Sequence, residues 1–162
     1  MAYPLEAFKY LPAGSVAPGT IVADDTGAWF MAARRSGATS NQLVRLSRND
    51  NGGDAGDLVS SIDGRVFAVS APYTTSIRVA DLFDLRRGQD GPFPGSILLA
   101  EPLAIFTVDT DRRLIGLDGN EINEDTVDRR RARFMRWSVW LLDPHGRQVG
   151  ENPLVEIDAT AP

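Results

Sequence analysis

Short β-type runs, each closed by a turn signal, follow one another along most of this 162-residue chain. The turn signals are Asp25-Thr26-Gly27, Asp63-Gly64, Asp109-Thr110-Asp111, Asp118-Gly119-Asn120 and Asp143-Pro144-His145-Gly146. Gly accepts positive φ, and Asp and Asn side chains bond the backbone of their own turn, so these residues reverse the chain between strands. The pattern predicts an all-β fold, an antiparallel β-sandwich or barrel.

Residues 18–158 are predicted to form a single β domain. Its predicted strands are Thr20–Asp24, Gly27–Arg34, Gln42–Ser47, Leu58–Ile62, Arg65–Ser70, Ser76–Asp81, Ser96–Leu99, Leu103–Asp109, Arg112–Leu117 and Leu154–Asp158. The Asp63-Gly64 dipeptide favours a hairpin between the two strands beside it. We expect the core to contain Ile21, Phe30, Leu43, Val66, Val69, Val79, Ile105, Val108, Trp137, Val139 and Leu141.

One segment at most, about residues 123–131, is predicted to be a short helix. Asn123 suits an N-cap, acidic residues fill the first turn and arginines fill the last, which complements the helix dipole. The following run, Phe134–Leu142, fits both a helical stripe and a strand. Because Met135, Trp137, Val139 and Leu141 alternate and a Pro-Gly turn follows, a strand is favoured.

An internal echo allows two interpretations. Pro18-Gly19-Thr20-Ile21-Val22 recurs as Pro94-Gly95-Ser96-Ile97-Leu98. It indicates either duplicated β-units, giving similar halves at residues 18–92 and 94–158, or the chance recurrence of Pro-Gly turns before β-branched strands.

Residues 1–17 are predicted to be an extended N-terminal arm, and residues 159–162 a C-terminal tail. The arm carries the apolar side chains of an interaction segment, Tyr3, Phe8, Tyr10 and Leu11, without helical or alternating periodicity. A disordered tail is poorer in aromatic residues, so we expect these rings to pack on this domain or on a neighbour.

Composition excludes several classes of function. The chain has no cysteine, which excludes disulfides, thiolate metal sites and cysteine nucleophiles. A net charge of -5 disfavours nucleic acid and anionic membrane as partners. We see neither a signal peptide nor a transmembrane run, so we expect synthesis in the cytoplasm, with incorporation into a virion as one outcome.

We assign no catalytic, cofactor or metal site, because turn formation is sufficient to explain each candidate residue. The Asp/Gly-rich loop 48–57 resembles one calcium nonapeptide, but a single copy favours a polar hairpin loop. Calcium spacing also fails between Asp118 and Asp125. His145, the single histidine, lies in a turn. Carboxylate pairs that could act as acid and base are Asp24/Asp25, Asp109/Asp111 and Asp143/Glu156.

Five arginines between residues 129 and 136 follow an acidic segment. The predicted salt network consists of Asp125, Asp128, Arg129, Arg130 and Arg131. Because the acids and arginines cancel locally, the stretch is interpreted as an intramolecular or subunit-interface network and not as a phosphate track.

Two functional hypotheses from different classes follow. The first is a non-enzymatic structural or interaction protein, a homo-oligomer or a subunit of a larger assembly such as a bacteriophage particle, which docks through its arm and C-terminal segment. The alternative is a ligand-binding or carboxylate-dependent, carbohydrate-active β-sandwich protein, with an exposed Trp or Tyr stacking on a sugar.

Overall fold

The computed structural model describes residues 3–47, 54–60, 64–80, 85–86, 94–99, 104–108, 113–123 and 133–159. This part of the chain is built of antiparallel strands, which confirms the predicted all-β fold. Helical segments within it are two single turns of 3-10 helix, Leu5–Ala7 and Ala13–Ser15. None of its helices has the length and apolar character needed to cross a membrane. Residues 124–131 of the helix predicted near 123–131 lie outside the described residues.

The first sheet contains six strands from the N-terminal half. They are β1 (Phe8–Pro12), β2 (Ile21–Ala23), β3 (Trp29–Ala33), β4 (Gln42–Arg45), β5 (Leu58–Ser60) and β6 (Arg65–Val69), in the order β1-β6-β2-β3-β4-β5. The predicted hairpin of β5 and β6 is therefore wrong, because β5 pairs with β4, and β6 pairs with β1 and β2. A turn signal constrains the local backbone only, whereas the partner of a strand depends on long-range packing.

Two further sheets complete the described fold. The remaining strands are β7 (Thr74–Val79), β8 (Leu85–Arg86), β9 (Ile97–Leu99), β10 (Ala104–Val108), β11 (Arg113–Gly116), β12 (Glu121–Ile122), β13 (Arg133–Phe134), β14 (Arg136–Leu142) and β15 (Val155–Asp158). The second sheet has the order β12-β11-β10-β9-β13-β8, and the third has the order β15-β14-β7. The strand predicted at Phe134–Leu142 is confirmed, but it divides at Met135 between the second and third sheets. In the described strands no sheet closes on itself, which is consistent with the sandwich alternative.

The main core lies where the three sheets meet. It includes Ile21, Met31, Val44, Ile97, Ile115, Phe134, Trp137, Val139, Leu141 and Ile157. A second cluster, around Phe30, covers the opposite face of the first sheet. Burial of the predicted core residues is confirmed for Ile21, Phe30, Leu43, Val66, Trp137, Val139 and Leu141. Val69 and Val79 are half-buried against the main core, and the side chains of Ile105 and Val108 lie outside the described part.

Two pairs of turns are in close contact, and in each pair one turn belongs to the first sheet and the other to the second. The β11–β12 turn places Gly119 at φ +82, where a Cβ would lie 2.5 Å from Ala32 O and would also meet Gly19 N. The turn before β5 places Gly56 at φ +91, where a Cβ would lie 2.7 Å from the carbonyl carbon of Pro94. Each Pro-Gly turn of the sequence echo thus packs on the turn that precedes an edge strand of the other sheet, β12 or β5. The duplication itself stays a prediction.

Candidate functional site

The N-terminal arm packs on its own domain through three of its four predicted interaction residues. The Tyr3 hydroxyl donates to Pro153 O at 2.9 Å, and burial raises the pKa of this phenol. Phe8 lies between Tyr3 and Trp29, with ring centroids 6.5 Å and 6.3 Å away. Leu11 packs against the second apolar cluster. These three side chains therefore pack on their own domain.

Tyr10, the fourth residue, belongs to an exposed group that we call the aromatic patch: Tyr10, Phe67 and Arg65. Tyr10 on β1 and Phe67 on β6 are directly paired, with ring centroids 4.8 Å apart. The Arg65 guanidinium lies 4.8 Å from the Tyr10 ring centroid. Tyr10 is 48% exposed and Phe67 is 43% exposed. This surface combines aromatic area with a positive charge, the composition typical of interface anchors.

Strand β1 forms an edge of the first sheet, and hydrogen bonds at its two ends show which backbone groups face outward. These bonds run from Ser70 N–H to Ala7 O and from Ala13 N–H to Gly64 O. Bonded and outward-facing residues alternate along an antiparallel strand. The N–H and C=O groups of Phe8, Tyr10 and Pro12 therefore point away from β6.

Most of these outward backbone groups either already have a hydrogen-bond partner or, as at Pro12, lack the N–H. Pro12 has no N–H, and the Phe8 N–H donates to Leu5 O. Arg65 Nη2 donates to Tyr10 O at 2.6 Å. Edge strands protected in this way resist pairing with another strand. The arm therefore offers side chains, and few backbone groups, to a partner.

The C-terminal segment is also part of the fold. Strand β15 pairs with β14, and its Val155 and Ile157 side chains are buried in the main core. Glu156, which alternates with them, is exposed. The segment thus presents one polar face and one sheet edge to its surroundings.

The candidate acid–base residues serve their own turns. Asp24 Oδ1 accepts hydrogen bonds from Thr26 N–H, Thr26 Oγ1 and Ala28 N–H. Asp143 accepts from the backbone of Arg147 and His145 and from the Arg147 side chain, and the Arg147 N–H contributes most to a lowered pKa of Asp143. Such bonds stabilise the carboxylate form of Asp143. Asp24 and Asp143 thus bond their own turns, and Asp109/Asp111 lies outside the described residues.

A partly buried ion pair within the second sheet also bonds the segment that follows β3 of the first sheet. Arg113 Nη1 donates to Glu121 Oε1 at 2.7 Å, and Ser36 N–H donates to Glu121 Oε2 at 2.7 Å. Burial alone would raise the pKa of Glu121, but the bonds from Ser36 and Arg113 outweigh it and lower that pKa. Both carboxylate oxygens have partners, so this cluster connects elements and leaves no oxygen aimed at a ligand.

Where the structure describes residues of the other predicted sites, they are not arranged as a ligand-binding site. The salt network of Asp125, Asp128, Arg129, Arg130 and Arg131 lies outside the described residues. In loop 48–57, of which 54–57 are described, Asp57 Oδ2 accepts from Asp54 N–H. His145 is exposed. Across the described ranges no three His, Cys, Asp or Glu residues are grouped as metal ligands would be.

Phe67 and Arg65 are the members of the aromatic patch that sequence reasoning missed. The alternation of β6 contained the signal, since Val66 and Ala68 are buried while Arg65 and Phe67 are exposed. The period of two places Phe67 and Val66 on opposite faces of β6. Only the pairing of β1 with β6, however, places Phe67 beside Tyr10.

No protein-family model matches this chain, and no curated protein or solved structure matches it either. Its function is therefore inferred from its own residues.

Proposed function

We propose that this chain is a non-enzymatic structural or interaction protein. It acts as a subunit of a larger assembly, such as a bacteriophage particle, and docks through its N-terminal arm and C-terminal segment. Its partners are protein subunits, either further copies of itself or other components. The net charge of -5 argues against nucleic acid and anionic membrane as partners.

The exposed apolar side chains carry this proposal. In the described residues the large hydrophobics with the greatest exposure are Leu5, Tyr10, Phe67 and Leu99, at 87%, 48%, 43% and 43%. Leu5 and Tyr10 belong to the arm, and the Phe67 ring contacts the Tyr10 ring. Apolar groups concentrated on one surface typically mark a protein interaction site. Because the β1 edge is protected, side-chain contact is the expected mode of docking.

The aromatic patch is tested by the double substitution Tyr10→Ser, Phe67→Ser. Both side chains are half-exposed, so the fold should persist while the contact surface is lost. Removing central aromatic anchors typically costs about 2 kcal/mol or more of binding free energy, near thirtyfold in affinity. The measurement is co-sedimentation of the tagged chain with large particles in a density gradient of its native lysate.

Leu99→Ser is the matched control, because Leu99 is as exposed as Phe67 but lies on β9 of the second sheet. We expect the control to sediment like the wild-type chain and the double variant to remain at the top. A wild-type chain that never leaves the top of the gradient, in any growth condition, would contradict the proposal.

The alternative, a ligand-binding or carboxylate-dependent carbohydrate-active protein, draws less support from this geometry. Tyr10 contacts Phe67 and Arg65, and the Trp140 ring has the Arg78 guanidinium 4.7 Å from its centroid. A sugar that stacks on the same face of either ring would have to displace an arginine. Polysaccharide hydrolysis abolished by Asp25→Asn, with the fold retained, would place this alternative first.

A further inference from the structure

Strand β7 forms a sheet edge whose outward backbone groups, unlike most of those on β1, have no partner among the described residues. Ala80 N–H donates to Arg136 O, which continues the bonded alternation of β7 with β14. The N–H and C=O groups of Thr75, Ile77 and Val79 therefore point away from β14. No described residue bonds these groups, and β7 contains no proline.

On the opposite edge of the same sheet, strand β15 also turns backbone groups outward at Glu156. Ala159 N–H donates to Met135 O, so the backbone groups of Glu156 face outward from β15. The third sheet therefore has three strands and two edges at which a further strand can hydrogen-bond.

The side chains of the two edges carry opposite charges on the same face. Arg78 and Glu156 both pair with Ser138, so the three residues form one row across the outer face. The Arg78 guanidinium is positioned by Gln148 Oε1 at 2.7 Å and by the Trp140 ring. Two strand spacings, about 10 Å, separate the Arg78 and Glu156 backbones within one copy, too far for a direct ion pair. No described residue forms an ion pair with Glu156.

We propose that a second copy of this chain occupies the β7 edge through its β15 strand, so that the third sheet continues from copy to copy. Glu156 of one copy then lies beside Arg78 of the next, about one strand spacing, near 5 Å, away. This contact joins two different surfaces, so its repetition produces a ring or a filament. The inference rests on the proposed function, since it names one partner and one docking mode of the same subunit.

Complementary charge on the two edges favours this partner over a symmetric one. Pairing two β7 strands would bring arginines together, and pairing two β15 strands would bring acids together. Like charges on neighbouring strands destabilise a sheet, whereas opposite charges stabilise it. The strands are short, so we expect association that rises with protein concentration and weakens as salt screens the charges.

Charge reversal on each edge separately, in the full-length chain, tests the proposal. Arg78→Glu places acids on both edges, and Glu156→Arg places basic residues on both. Each variant alone should self-associate about tenfold more weakly than the wild type in sedimentation velocity measurements. An equimolar mixture should recover association, because each variant edge then meets an oppositely charged edge.

Lys9→Glu, the same change of charge on the protected β1 edge, is the control and should associate like the wild type. Circular dichroism of each variant verifies the fold. Thr75→Pro, which removes one outward N–H of β7, should also weaken association. The proposal is overturned if the wild type is monomeric at its highest soluble concentration, if only one reversal has an effect, or if the mixture does not recover.

The failure of this inference is distinguishable from the failure of the proposed function. If the chain is monomeric but sediments with particles through the aromatic patch, it is an interaction protein that does not pair its third sheet. If it self-associates as predicted but meets no larger particle, the edge pairing holds and the subunit hypothesis fails.

Discussion

At the scale of single residues, Trp137 joins two sheets by packing and by one hydrogen bond. Its ring belongs to the main core and is 2% exposed. Its Nε1–H donates to Gly95 O at 2.7 Å, in the Pro-Gly turn that precedes β9. The polar atom of a large buried ring thus satisfies a carbonyl at a tight turn.

Trp137→Ala should lower the free energy of unfolding by about 3–5 kcal/mol, the usual loss for a large aromatic residue replaced in a core. Trp137→Phe keeps most of the apolar area but leaves Gly95 O without its donor, so we expect a loss of about 1–3 kcal/mol. Urea denaturation followed by circular dichroism measures both. Equal losses for the two variants would show that the hydrogen bond, and not the volume of the ring, dominates.

Acid should destabilise the fold through carboxylates that its turns hold ionised. The side-chain amide of Asn120, and then its backbone N–H, lower the pKa of Asp118. A lowered folded-state pKa contributes stability above the ordinary aspartate value, about 3.9, and this contribution is lost as pH falls through the lowered value. Asp118→Asn should therefore flatten the fall of Tm below about pH 4. Parallel Tm profiles for wild type and variant, measured by thermal melts, would refute this role.

At the scale of elements, the sheets are connected by close contact between turns. Gly119 and Gly56 each lie at positive φ, at points where backbone from another sheet leaves no room for a Cβ. Gly27 has the same backbone conformation, φ +84, but nothing lies within 4 Å of its Cβ position. Comparing substitutions at the three glycines therefore distinguishes the cost of backbone strain alone from the added cost of a collision between turns.

Gly27→Ala should cost about 1–2 kcal/mol, the strain of a left-handed residue with a Cβ. Gly119→Ala adds a collision with backbone atoms of Gly19 and Ala32, so we expect a loss above about 4 kcal/mol. Chemical denaturation of the two variants side by side measures the difference. Similar losses would mean that the turns separate easily and do not hold the sheets together.

At the scale of the whole molecule, the main core takes side chains from all three sheets. Removing one sheet would expose apolar surface on the other two, so independent unfolding of any sheet is unfavourable. Unfolding in urea should be one transition, with tryptophan fluorescence and far-UV circular dichroism coinciding. Trp29 reports on the first sheet and Trp137 and Trp140 on the third, so a displaced fluorescence curve would reveal separate units.

At the same scale, the sheet edges of the molecule differ in how well their backbone groups are protected. Edge β1 is protected by Pro12 and Arg65, whereas β7 and β15 leave backbone groups open. Proteins that remain single usually protect their edges. The unequal protection is consistent with docking by side chains at the arm and by strand pairing at the third sheet.

The sequence by itself determined the all-β class, most strand positions and the turns at Asp118-Gly119 and Asp143–Gly146. These features depend on local chemistry: alternation of apolar residues, positive φ at glycine and Asp side chains that bond their own turn. The C-terminal strand was also evident, because Val155 and Ile157 alternate with acids.

Only the tertiary structure decided which strands pair and which edges remain open. The sequence favoured a β5–β6 hairpin, yet these strands lie at different positions in the sheet, and it gave no period to β1, which completes that sheet. Likewise, Tyr10 meets Phe67, and Arg78 and Glu156 share a row, only through pairings between distant segments. Such pairings depend on the burial of apolar faces across the whole chain, and a local pattern carries no information about its distant partner.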